Sequence, residues 1–250
     1  MSEQRIEAIV LKQQDYREND ALITVLSPQQ GKLSFVCRGI RKMASRNAVS
    51  CMPFVRCELQ YQQQQQKTLF SLKSARPLAS YWHIRQDLTK LAIAQVMTEI
   101  ADKILPGGQE DLAAAQAVYD LLDTSLQRLD SDAFHELVLC QYLAGILKVE
   151  GIEPLVDECV LCGSRRVQTI SVEEGGFLCA RCAGAMGTHS VGVAELKKFR
   201  LINKAAPEHY SLLQQYGPWT KKDAEFLIRF LIVHTGLQLE SWRFLDRCSH

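Results

Sequence analysis

The sequence predicts an α+β, multidomain protein, with a small N-terminal β-barrel followed by an α-helical domain that carries an inserted four-cysteine zinc ribbon. Three observations predict it. Residues 1–80 alternate apolar and polar positions in five short runs, the period of half-buried strands. From residue 81 the apolar positions recur at helical spacing. Two Cys-x2-Cys knuckles, Cys159-Val-Leu-Cys162 and Cys179-Ala-Arg-Cys182, then interrupt the helical pattern with sixteen residues between them.

The five runs are Arg5–Lys12, Ala21–Leu26, Lys32–Arg38, Phe54–Tyr61 and Thr68–Lys73. Turn-forming residues separate most of them, Asp15 to Asp20 first and Ser27-Pro-Gln-Gln-Gly31 second. A longer basic stretch, Gly39 to Cys51, follows strand three. Five strands with the long connection after the third are the arrangement of an OB-fold, whose face and loops bind oligonucleotides. The run Gln62 to Gln66 is too short for a disordered tract and reads as a polar hairpin tip between strands four and five.

Leu88, Leu91, Ala92, Val96, Ile100 and Ile104 form the stripe of a first helix, which Pro106-Gly107-Gly108 stops. A second is expected over Asp111–Leu129. A third is expected over Asp132–Val149, with Ser131 and Asp132 offering its N-cap and Gly151 ending it. Helices resume at Ser190–Asn203 and Thr220–Thr235, the latter with an apolar stripe through Phe226, Phe230 and Val233. These patterns divide the chain into a barrel over 1–80 and a helical domain over 81–250, with the cysteine module inserted at 157–186.

Each knuckle sets two sulfurs on one side of a metal, and a hairpin between them completes a tetrahedron. Cys159, Cys162, Cys179 and Cys182 are therefore expected to hold one structural Zn2+. Gly163 and the pair Gly175-Gly176 let the chain turn tightly beside the sulfurs. Two disulfides, or four thiols buried by chance, are the alternatives. His189, seven residues past Cys182, is a weaker ligand candidate because four cysteines already complete the set. Residues 1–25 have no signal-peptide pattern and no run of eighteen apolar residues occurs, so a cytoplasmic setting with free thiols is expected. Cys37, Cys51, Cys57, Cys140 and Cys248 follow no ligand spacing, and the first, third and fourth of these read as small core residues.

At 250 residues, 47% hydrophobic and 23% charged, the chain can bury a sizeable core. Its net charge of +1 is a cancellation. Residues 1–80 carry 12 Lys and Arg against 6 Asp and Glu, residues 81–158 carry 5 against 14, and the remainder 12 against 8. The basic excess therefore lies on the barrel, concentrated in Arg38-Gly-Ile-Arg41-Lys42-Met-Ala-Ser-Arg46. Lys12, Lys32, Arg38, Arg41, Lys42 and Arg46 are the expected phosphate contacts, since each neutralised phosphate releases counterions. Tyr16 and Phe35 offer rings to unstacked bases, although Phe35 fits equally as barrel filling. A merely solvated basic loop is the alternative.

No phosphate-binding Gly-x4-Gly-Lys-Ser/Thr, His-Glu-x2-His or Gly-x-Ser-x-Gly motif occurs, and a four-thiolate metal has no open position. Asp15, Glu18 and Asp20 cluster in one loop and could hold a divalent ion, but such groups are commonly turn formers. No catalytic residue is assigned and the chain is read as a non-enzyme.

Several stretches carry a family resemblance. They are Glu7-Ala-Ile-Val-Leu-Lys12, Tyr16-Arg-Glu-Asn-Asp20, Gly31-Lys-Leu-Ser34 and Arg38-Gly-Ile-Arg-Lys42. Gly151-Ile-Glu-Pro-Leu155 then leads into the first knuckle, Gly175-Gly-Phe177 into the second, and His234-Thr-Gly-Leu237 continues through Ser241 to Phe244-Leu245. In this order and over the whole chain they resemble the bacterial DNA recombination and repair family RecO. The resemblance implies an OB-fold, a helical C-terminal domain and an embedded zinc module. It also implies a non-enzymatic, cytoplasmic and nucleoid-associated mediator that binds single- and double-stranded DNA and anneals complementary strands. With RecR, such a mediator loads RecA, an indirect partner, onto DNA covered by single-strand binding protein. Some members lack the cysteines, so zinc is not required throughout the family. The Gln62 to Gln66 run is unusual for it. A zinc-ribbon adaptor in transcription or RNA handling is the alternative that the ribbon motif leaves open.

Overall fold

The computed structural model describes residues 3–62, 69–105 and 111–248, with side chains described as far as Leu245. Most of the Gln62 to Gln66 run, Thr68, the Pro106-Gly107-Gly108 stop and the Cys248 side chain lie outside the described residues. The chain forms two compact units, residues 1–132 with 239–250, and residues 133–238.

In the first unit, β1 (Glu3–Asp15), β2 (Ala21–Ser27), β3 (Gly31–Cys37), β4 (Arg56–Gln62) and β5 (Leu69–Ala79) close into a barrel of order β1-β2-β3-β5-β4. This is the OB-fold. β1 is long enough to serve both neighbours. Its first half pairs with β4, Glu3 opposite Gln62 to Ile9 opposite Arg56, and its second half with β2. A bulge between Val10 and Lys12 bends it around the corner. Closure comes from the parallel pairing of β3 with β5, where Phe35 lies opposite Phe70.

Alternation sends Ile6, Ala8 and Val10, with Ile23, Val25, Phe35, Cys57, Leu59 and Tyr61, into the barrel interior. Phe35, Tyr61 and Phe70 pack there edge-on or tilted, with ring centroids 5.1–5.8 Å apart. Phe35 is thus barrel filling, not a base platform. Ile9 and Leu11 are also buried, on the opposite face of β1. Helices α1 (Leu88–Ile104) and α2 (Leu112–Ser131) supply the cover, α1 against β1 and α2 against β2 and β3. These two helices share a compact unit with the barrel because they bury the outer face of the strands.

Asp87 caps α1 by accepting from the Thr89 and Lys90 amides at 2.8 and 3.1 Å, and Asp111 caps α2 through the Ala114 amide at 2.9 Å. Asp123 of α2 accepts from Tyr81 Oη at 2.7 Å and from Arg56 Nη1 at 2.9 Å, which fixes α2 to β4. C-terminal α8 (Glu240–Cys248) packs on α1.

The second unit begins with α3 (His135–Val149), which packs against α7 (Lys221–Thr235) and α5 (Val193–Lys204); the short α6 spans Tyr210–Gln214. The expected N-cap of α3 is displaced. Ser131 closes α2 instead, its hydroxyl donating back to the Gln127 carbonyl at 3.0 Å, and α3 starts after Phe134 without a side-chain cap. Between α3 and α5 the chain builds the cysteine module from β6 (Val167–Ser171), β7 (Gly176–Cys179) and α4 (Ala180–Ala185). No described helix is long and apolar enough to cross a membrane.

Candidate metal centre and nucleic-acid interface

The first knuckle is a closed turn. Gly163 N–H donates to the Cys159 carbonyl at 2.8 Å, Cys159 N–H to the Ser164 carbonyl at 2.8 Å, and Gly163 takes a left-handed φ of 69°. Val160 N–H donates to the Phe177 carbonyl at 2.9 Å, which brings this turn against β7. Cys179 ends β7 and Cys182 lies in the first turn of α4. The four sulfurs consequently lie within 4.8 Å of one another, and Cys162 and Cys179 are 3.6 Å apart. Sulfurs about 2.3 Å from a tetrahedral ion are separated by roughly 3.8 Å, so the set fits a metal.

The thiols of the set differ in acidity. Burial raises the Cys159 thiol, yet the backbone amides of Cys179, Leu161 and Cys162 outweigh it and hold the group at about 6. The Cys182 amide lowers Cys179, while hydrogen bonding with Cys179 pushes Cys182 up to about 12. Sulfurs this close cannot all ionise unless positive charge offsets their repulsion. Arg181 contributes some, since its bonding to the Cys162 and Cys182 sulfurs raises its own pKa. Four protein thiolates complete a coordination shell of the structural kind.

The module is anchored within its unit by contacts that join the sequence motifs. Leu155 N–H donates to the Gly175 carbonyl and Phe177 N–H to the Leu155 carbonyl, each at 2.9 Å. Residues 151–155 and Gly175-Gly176-Phe177, separate in sequence, form one local structure. His234 of α7 lies 2.7 Å from the Val172 carbonyl and stacks on Phe230 with centroids 4.4 Å apart. The His189 carbonyl accepts from Thr169 Oγ1 at 2.6 Å, and His189 is not among the clustered ligands. Among the described residues the cysteines are the group able to hold an ion, and Asp15, Glu18 and Asp20 form no such group. Asp15 instead pairs with Arg41 at 3.1 Å, and Asp20 accepts from the Gly39 amide at 2.8 Å.

The remaining described cysteines are core thiols. Contact with Cys51 and burial push Cys37 far up, while burial pushes Cys57 to about 12 and Cys140 well up.

The six expected phosphate contacts fall into two groups. Arg38, Arg41, Lys42 and Arg46 are exposed on the connection between β3 and β4. That connection is a succession of turns, with Lys42 N–H donating to Gly39 O at 3.2 Å and Ser45 N–H to Lys42 O at 2.9 Å. Gly39 turns it with φ 64°, and Arg41 N–H donates to Asn19 O at 3.1 Å, which pins it to the β1–β2 loop. Lys12 and Lys32 belong elsewhere. Lys12 Nζ lies 2.6 Å from Asp102 Oδ2, and Lys32 Nζ donates to the carbonyls of Asp102 and Leu105 at 2.5 and 2.8 Å. Both are thus engaged with the C-terminal end of α1.

A cleft of about 220 Å³ opens between the β1–β2 loop and the β3–β5 seam, lined by Tyr16, Arg17, Val36, Arg38, Leu69 and Phe70. The Arg17 guanidinium lies 5.2 Å from the Tyr16 ring centroid, and Arg17 holds a positive φ of 71°. Arg17 and Phe70 were not expected as site residues. Arg17 had a signal in the basic excess, but Phe70 enters only through the β3–β5 pairing.

The comparisons with known proteins bear on both units. Residues 1–81 match the family model described as recombination protein O N terminal, and residues 85–241 that described as recombination protein O C terminal. The chain belongs to the RecO family. It is 30% identical over 246 residues to the DNA repair protein RecO of Moorella thermoacetica, covering 96% of this chain and 89% of that one. It is 33% identical over 249 residues to that of Exiguobacterium sibiricum, covering 97% and 96%, and 29% identical over 249 residues to that of Bacillus pumilus, covering 96% and 93%. Family membership places the chain in DNA repair and recombination.

Proposed function

We propose that this chain is a non-enzymatic mediator of recombinational repair. It binds single- and double-stranded DNA, anneals complementary strands and, together with RecR, loads RecA onto DNA covered by single-strand binding protein. The observation that carries the DNA-binding part is the loop after β3. Arg38, Lys42 and Arg46 are exposed there with no ion pair among the described residues, and Arg41 has only an exposed one. Such cations supply affinity that is independent of sequence and sensitive to salt. The adjoining cleft, with Tyr16, Arg17 and Phe70, lies where OB-folds take bases. In this reading Lys12 and Lys32 hold α1 to the barrel and the loop cations hold phosphates.

Zn2+ on Cys159, Cys162, Cys179 and Cys182 braces the second unit, supplying cross-links between the knuckles and no chemistry of turnover. The reducing cytoplasm, beside the nucleoid, suits both the thiolates and the substrate.

Binding and strand annealing measured across a salt series, with and without single-strand binding protein, test the proposal. Arg41→Ala with Lys42→Ala is expected to weaken DNA binding for every sequence and to lower the salt slope by roughly 1 to 2. An unchanged slope removes the loop from the interface. Preference for structured RNA with no annealing would favour an adaptor in RNA handling.

A further inference from the structure

Met43 is the most exposed large apolar side chain among the described residues, at 107% of its reference area, ahead of Leu88 at 86%. It stands at the second position of the Lys42–Ser45 turn, where a side chain projects from the corner. The turn is not a loose one. Ile40 is buried in the barrel core two residues before it, Gly39 N–H is held by Asp20 at 2.8 Å, and Asn47 Oδ1 accepts from the Ala75 amide at 3.1 Å just after it. An apolar side chain is thus carried on a fixed arm.

The segment that carries it is of one sign, with carboxylates only at its base, where Asp15 pairs with Arg41 and Asp20 holds the Gly39 amide. No Asp or Glu occurs from Ala21 to Cys57, and Arg41, Lys42 and Arg46 flank the tip. A partner must therefore offer negative charge beside an apolar surface narrow enough for one unbranched side chain. Exposed Ala44 is the only apolar neighbour in the turn, so no patch of the size that docks a protein is present there. A nucleic-acid strand offers both features, phosphates outside and base faces between, and thioether wedges are known to enter base steps.

We propose that Met43 is a wedge that enters between adjacent bases of the strand whose phosphates lie on Arg41, Lys42 and Arg46. This rests on the reading of that loop as the phosphate-binding segment. The cations set the strand down on the arm, and the side chain opens one base step at its tip. In a protein that pairs strands, an opened step presents an unstacked base edge.

Oligonucleotides with 2-aminopurine placed in turn at each position provide the test, because stacking quenches that base. The full-length protein is expected to raise the fluorescence several-fold at saturation. Met43→Ala should remove most of this rise while weakening binding by no more than about fivefold and leaving the salt slope unchanged. Met43→Leu, of similar apolar volume, should retain it. A rise that survives in Met43→Ala, or no rise with wild-type protein that binds normally, overturns the wedge and leaves the phosphate reading intact. Wild-type binding without any salt slope overturns both. If Met43→Ala affects only the binding of another protein, with fluorescence unchanged, the tip is a protein contact and the proposal fails.

Discussion

The Lys32 ammonium group donates to the Leu105 carbonyl oxygen at 2.8 Å, just past the last residue of α1, and lies 3.4 Å from Asp102 Oδ1. A cation at a helix C-terminus satisfies carbonyls that have no partner in the helix and favours the negative end of its dipole. Its side chain is only 17% exposed, so the contacts are shielded from water. Lys32→Ala is expected to destabilise the first unit by about 1.5–3 kcal/mol, read from the denaturant midpoint. Lys12→Ala, at a side chain 44% exposed, should cost less than about 1 kcal/mol. Lys42→Ala and Arg46→Ala should leave the midpoint nearly unchanged. If Lys32→Ala kept its midpoint and lost DNA affinity, its role would be that of the loop cations.

Gly175 and Gly176 are adjacent and are needed for different reasons. A Cβ on Gly176 would sit 2.3 Å from the Leu155 carbonyl oxygen and 2.8 Å from its nitrogen, both backbone atoms that cannot swing aside. Gly175 has room, its nearest neighbour being His234 Cε1 at 3.9 Å, but holds φ 84°. Gly176→Ala is expected to cost about 3 kcal/mol of stability in the second unit by parting Leu155 from β7. Gly175→Ala should cost about 1 kcal/mol through backbone strain alone. Thermal unfolding of the two variants decides it, and equal losses would contradict the close-approach argument.

These two glycines also show what was legible beforehand. Most strands and helices and the convergence of the four cysteines followed from local patterns, period two, period 3.6 and knuckle spacing, because each is set by residues within one turn or hairpin. What depended on distant partners was hidden. Six cations on the barrel looked alike in composition, and only the approach of Asp102, ninety positions from Lys12, separates the two engaged with α1 from the rest. Ser131 reads equally as a cap for the next helix or as a hydroxyl bonding back into its own, and the structure takes the second option. Strand four was expected from Phe54 but starts at Arg56. Phe54 holds a positive φ of 71°, which nothing in an aromatic residue announces, while its amide donates to the Val10 carbonyl at 2.8 Å. The α8 helix falls in a tail whose apolar spacing gains meaning only once α1 is there to cover it.

The cysteine cluster gives a prediction about folding as well as metal content. Ligands that converge only in the folded chain couple metal binding to folding. Protein purified without chelator is expected to contain one zinc per chain. Cys159→Ser should lose it and destabilise the second unit by several kcal/mol, with the first unit's unfolding midpoint and its salt-dependent DNA binding nearly unchanged. Metal analysis alongside domain-resolved hydrogen exchange tests this. Wild-type protein free of zinc, or a variant as stable as wild type, would refute the bracing role.

Glu99 of α1 ties the C-terminal helix to the first unit in a pH-dependent way. Its carboxylate accepts from the Glu240 and Ser241 amides at 3.1 and 2.9 Å and from the Ser241 hydroxyl, which places a negative charge at the N-terminus of α8. Burial raises its pKa, but Lys103 at 2.6 Å and the Ser241 and Glu240 donors prevail and leave it below the ordinary 4.5. A carboxyl depressed on folding stabilises the folded state fully above its unfolded value and loses that contribution as pH falls through the folded one. The stability advantage of wild type over Glu99→Gln should therefore be constant above about pH 5 and shrink steadily below about pH 4.5. Exchange of the 241–245 amides should report it first, since these residues lie at the held end of α8. An advantage that stays constant down to about pH 3 would mean that the charge contributes nothing and that the two amide bonds alone hold the helix.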